Sequence, residues 1–257
     1  MAGIDRMFSW LPRRQTVKVE PDRSAIERVA AKFPVLASLD EFDRSLLHER
    51  VAELLSVKSF QGAGGYEPTG DDVLAVAALA AWPLIRLDLS WYRGFHTFIL
   101  YPGEYLADVE DIDEAGVVHS GRDLRSGEAW VNGPVVLGMD EVYASGQGDG
   151  FNVVVHELAH QIDQLNGETD GFPPLHREMP TQRWTEAFSA AFARLEAEVE
   201  QGREPSLDPY GLESPGEFFA VCCEHFFDTP DWLSEQYPAL FDQLGQFFRN
   251  RPSLQPV

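Results

Sequence analysis

The run VVVHELAHQID, residues 153–163, sets two imidazoles four positions apart within an apolar stretch. No other stretch constrains the chain as strongly. Positions i and i+4 share one face of a helix, so His156 and His160 can direct ring nitrogens at one point. Zinc asks for that geometry, with metal–nitrogen distances of about 2.0–2.1 Å. Glu157 sits about 100° further round the helix, able to reach a water at the metal without being a ligand. This is HExxH, two ligands and a general base in five residues. The competing reading is a half-buried helix with two incidental histidines. The pattern argues against it: Leu158, Ile162 and Leu165 form an apolar stripe, while His156, His160 and Asp163 form a separate polar one.

A catalytic zinc site needs a third protein ligand and an open position. Downstream candidates are Asp163, Glu178, Glu186, Glu217 and Glu224. Asp163 follows His160 by less than a turn and fits better as a group orienting that ring. Glu186 lies two residues from both Trp184 and Phe188, away from the apolar stripe they form, and Glu178 falls in a loop. Glu217 and Glu224 remain, seven apart on one face of the apolar helix SPGEFFAVCCEHFF. Spacing does not choose between them. Ser214-Pro-Gly-Glu217 is also a capping box, and Glu224 reads equally well as a carboxylate at the helix edge.

Charge narrows the partners. Twenty Lys and Arg against forty-two Asp and Glu give a net charge of −22, which repels phosphate backbones and anionic membrane surfaces. Neither direct nucleic-acid binding nor membrane association is expected. The opening MAGIDRMFSWLPRRQ lacks an apolar core of signal-peptide length. The longest apolar run, VLAVAALAAWPLI at 73–85, is too short to span a bilayer and predicts a buried helix. Cys222 and Cys223 are adjacent and make no disulfide framework, which predicts a cytoplasmic, reducing location.

Periodicity predicts an α+β fold. Residues 1–20 read as a flexible segment and 21–257 as a single domain, helical to about residue 85. Helix starts are predicted at Ser24 and Ser38 from capping-box patterns, and at Asp71–Asp72 after the glycine-rich loop QGAGGYEPTG. FHTFILY (95–101), GVVHS (116–120) and EAWVNGPVVLGM (128–139) predict three or four strands of one small mixed or antiparallel sheet. The acidic ADVEDIDEAG between the first two reads as a solvated turn. Helices return with the HExxH segment and occupy the C-terminal part.

Several segments together resemble the Mlc titration factor A family, bacterial glucose-regulated metallopeptidases with a lethal-factor-like zincin core. They are WYRGFHTFILYP (91–102), GEAWVNGPVVL (127–137), GFNVVVHELAHQID (150–163), Asn166-Gly167 and PYGLESPGEFFAVCCEHFF (209–227), in family order. The resemblance implies a zincin-like fold and a zinc-dependent peptidase, aminopeptidase-like on short substrates. One Zn2+ would be held by His156, His160 and Glu217, with Glu157 as base, Tyr210 facing the metal, and Glu224 supporting the ligands. Val221 stands four residues after Glu217, so the supporting aspartate of thermolysin-like enzymes is absent. The resemblance also implies a second role, sequestering a transcriptional repressor of sugar uptake, with the metal structural. A deformylase also uses HExxH but takes a cysteine upstream of it, whereas both cysteines here lie downstream. Substrate is expected to extend along an edge strand at GPVVLGM (133–139). His96, His119 and His225 read as structural, and His176 as a candidate for substrate contact.

Overall fold

The computed structural model describes residues 16–20, 22–103, 105–112, 118–125, 127–129 and 133–252, with side chains outside 104–132. The expected flexible segment lies outside the described residues up to residue 15. Thr16–Val17 form a short strand, β1, paired antiparallel with β2 (Ser59–Gly62). A mixed five-stranded sheet follows in the order β1, β2, β3 (Thr97–Tyr101), β7 (Val135–Gly138), β6 (Gly127–Ala129). Its three central strands run parallel and its two outer ones antiparallel to their neighbours. Alternation sorts the faces: Phe60, Phe98, Leu100, Val135 and Leu137 join the main core, while Ile99 and Val136 pack with Ala63 on the other side.

Four expectations are corrected. β2 runs into the start of the predicted glycine-rich loop, taking up Gln61 and Gly62 as strand. The acidic turn is mostly strand: β4 (Tyr105–Ile112) pairs with β5 (Val118–Arg125) as a separate hairpin rather than in the main sheet. GPVVLGM is not an edge, because β6 covers β7 and the tail of that segment turns into α5 (Met139–Ala144). The first two helices start elsewhere than predicted. Asp22 caps α1 (Arg23–Ala30) and Asp40 caps α3 (Glu41–Val57), after the short α2 (Pro34–Ala37). In each case the aspartate carboxylate accepts the first-turn amides, a contribution of about 1 kcal/mol per cap.

α4 (Gly70–Ala81) is the apolar run of the sequence. It is buried on every side, which a helix apolar all round requires. Its capping box joins Thr69 to Asp72, whose carboxylate also accepts from the hydroxyls of Tyr66 and Tyr143. α1 and α3 pack against α4. The C-terminal part is α6 (Val153–Asp163), α7 (Thr181–Glu200), α8 (Pro215–Asp228), α9 (Pro230–Gln236) and α10 (Pro238–Phe247). Trp184, Phe188, Phe219 and Phe247 knit α7, α8 and α10 together. Among the described residues no helix is long and apolar enough to cross a membrane.

Candidate metal centre

α6 carries the HExxH residues and lies against α8. Its start is held by three bonds. The Asn152 side chain accepts from the Val155 amide at 3.1 Å, the Val153 amide donates to Ser145 Oγ at 3.0 Å, and the Asn152 amide donates to Glu224 Oε2 at 2.6 Å. These satisfy amides that a buried helix end would otherwise leave orphaned. α8 opens as the sequence predicts, with Ser214 Oγ accepting from the Glu217 amide at 3.1 Å and Pro215 in the first turn. The Glu217 carboxylate reaches across to α6, where Oε2 lies 3.0 Å from His156 Nε2 and 3.2 Å from His160 Nε2.

The two Nε2 atoms are themselves 3.2 Å apart, so three donor atoms form a nearly regular triangle. Bonds of about 2.0–2.1 Å in a tetrahedron give edges of about 3.3 Å between ligand atoms, so one cation fits at the apex. Among the described residues, His156, His160 and Glu217 are the His, Cys, Asp or Glu trio whose ligand atoms converge. The chemistry of the set agrees. Two imidazoles and a carboxylate suit zinc among divalent ions.

Glu224 defines the role of His156. Its Oε1 lies 2.8 Å from His156 Nδ1 while its Oε2 takes the Asn152 amide. A carboxylate there favours a proton on Nδ1, so a metal would take Nε2 in place of the proton that Nε2 shares with Glu217. Burial disfavours charge on Glu217 and His156, yet their mutual hydrogen bonds outweigh it, with Glu224 adding to the effect on His156. Glu217 is thereby held well below the usual carboxylate range, and His156 is raised well above the usual imidazole value.

Asp163 behaves differently from its expected role. Its Oδ2 accepts from the Gly171 amide at 2.7 Å, burial pushes its carboxyl up to about 6, and Oδ1 has no partner among the described residues. His160 Nδ1 is likewise buried without a partner, so the two side chains do not bond each other. Asp163 instead pins the loop after α6.

Glu157 is buried beside His156 in a cleft of about 950 Å3 whose lining includes Tyr210. The Tyr210 ring is half exposed, with its centroid 6.1 Å from that of His156. Asp208 caps the single turn Pro209–Leu212 that carries it, accepting from the Tyr210 amide at 2.9 Å. Glu178 and Glu186 are excluded from the centre: one pairs with Arg249, the other is exposed and accepts from Gln182. His176 bonds the Phe247 carbonyl and packs on Trp91, lining a different cavity. His96 is exposed, His225 bonds Thr229 in the cleft wall, and the side chain of His119 lies outside the described residues. Burial pushes both thiols, Cys222 and Cys223, up. Sequence reasoning missed Asn152 and Ser145; an asparagine directly before an apolar helical run was the signal available for the first.

Histidines and a carboxylate converging beside a cleft are the donor set of metallopeptidases, and comparison with known proteins reaches the same class. Residues 8–249 match the family described as glucose-regulated metallo-peptidase M90. The chain is 34% identical to Mlc titration factor A of Klebsiella pneumoniae over 225 residues, 87% of this chain and 85% of the relative. It is 32% identical to the proteins of that name from Escherichia coli, over the same shares, and from Escherichia fergusonii, over 88% and 86%. The chain belongs to the glucose-regulated metallo-peptidase M90 family.

Proposed function

We propose that this chain is a zinc-dependent peptidase of zincin-like architecture, formed by one domain from residue 21 onward and acting in the cytoplasm on short peptides. The convergence of His156, His160 and Glu217 on one point carries this reading. These three would hold the ion, which when bound acidifies a water and polarises the scissile carbonyl. Glu157 would serve as the base that takes a proton from the attacking water and then as the acid that passes it to the leaving amine. The Tyr210 hydroxyl donates to the oxyanion as charge develops, from a ring that flanks His156. Glu224 and Asp163 position the machinery, one through His156 and Asn152, the other through Gly171.

The test is Glu157→Gln. Zinc content is expected to stay at one ion per chain while turnover of a peptide library falls by at least about 100-fold. Undiminished hydrolysis removes the mechanism. A second reading has its own support, because the relatives' name speaks of titrating Mlc. In that reading the chain binds a transcriptional repressor and the metal is structural. Repressor capture that survives chelation, with no peptide cleaved, favours it.

A further inference from the structure

The cleft beside the metal centre has a charge pattern of its own. Besides the site carboxylates it is lined by Asp149, Glu204, Asp208 and Glu213, and by no lysine or arginine. Asp149 comes from the loop before α6, the other three from the segment joining α7 to α8. All four are exposed, and none is paired with a lysine or arginine among the described residues. The lining also includes the apolar Phe151, Val153, Pro205, Leu207 and Pro209. His225 in the wall is lowered to about 4 by burial and so kept neutral, despite the charges of Asp208 and Asp149. His156, also in the lining, is taken up by the site carboxylates Glu217 and Glu224, so neither histidine offsets the four exposed acids.

We propose that this cleft selects peptides by positive charge, taking a lysine or arginine side chain next to the scissile bond. The proposal rests on the peptidase reading of the centre and names its substrate class. The alkyl stem of such a side chain covers apolar lining while its head meets the exposed carboxylates. A cleft lined by charges of one sign concentrates their field, so an acidic side chain at the same place is repelled.

The test uses zinc-loaded full-length protein and N-acetylated peptides of one backbone carrying Lys, Ala or Glu on either side of the scissile bond. At low salt kcat/KM is expected to favour Lys over Glu by on the order of tenfold or more, with the ratio shrinking as salt screens the rim. Glu204→Gln combined with Glu213→Gln is expected to cut the ratio by on the order of threefold. A wild-type ratio near one, or one unmoved in the double variant, overturns the proposal. Free-amine peptides run alongside: a preference that appears only without the acetyl group assigns the charge to the chain terminus and overturns the side-chain assignment. Fluorescence anisotropy of labelled Lys and Glu peptides on the Glu157→Gln variant needs no turnover. Tighter Lys binding without hydrolysis by wild type supports charge selection and contradicts the peptidase; equal binding removes selection whatever the hydrolysis.

Discussion

Glu217 and Glu224 stand seven apart on one helix face and both reach His156, but at opposite nitrogens. That is why spacing left them level: periodicity places two carboxylates on a face without saying which ring atom each meets. Geometry separates their effects. Glu217→Ala removes a donor from the triangle and is expected to abolish stoichiometric zinc at micromolar concentrations. Glu224→Gln removes the charge that orients His156 and is expected to weaken zinc by about 10–100-fold. Competition with a chelator measures both, and equal losses in the two variants contradict the division of roles.

At the scale of elements, the centre depends on how the end of α6 is fastened to the start of α8. Gly171 is the fastener. Its amide bonds Asp163, its carbonyl accepts from Trp184 Nε1 at 3.3 Å, and its φ is +74°. A Cβ there would lie 2.4 Å from the Pro215 carbonyl oxygen, two residues from Glu217. Gly171→Ala is expected to cost about 1–3 kcal/mol and to weaken zinc together with stability. A variant with unchanged Tm removes this account of the junction. The other end of α8 carries Asp228, which accepts from the Gly150 amide at 2.7 Å and is pushed up to about 6 by burial. Its ordinary value is 3.8, so between about pH 4 and 6 the folded chain keeps a proton that the unfolded chain has lost. Its contribution to stability therefore declines as pH rises through that window. Asp228→Asn is expected to remove this decline, seen as a Tm difference between variant and wild type that grows from pH 4 to 6. A constant difference contradicts it.

The helices were legible because their signals are local: the apolar run of α4, the Ser214-Pro215 start of α8 and the four-residue histidine spacing of α6 each lie within one segment. The strands were less so. β2 is SFQG, with only Phe60 deeply buried, and exists because β3 pairs with it. β4 is acidic and stands because β5 runs alongside. Pairing between distant segments decides such strands, and intrinsic propensity does not report it.

For the whole molecule, a net charge of −22 is the dominant long-range term. Self-repulsion opposes the compact state, so stability is expected to rise with ionic strength. Between low salt and moderate sodium chloride Tm should climb by a few degrees, the shift that about 1 kcal/mol gives a protein of this size. A falling Tm would instead mean that exposed ion pairs such as Arg28–Asp71 outweigh the net repulsion.

In the reading proposed, three side chains from two helices hold one ion beside an acidic cleft. Anomalous diffraction at the zinc edge from crystals of the zinc-loaded protein tests it most directly. The expected result is a single full peak about 2.0–2.1 Å from His156 Nε2, His160 Nε2 and a Glu217 oxygen. A peak that leaves Glu217 uncoordinated, or one lying elsewhere with the histidines bare, contradicts it.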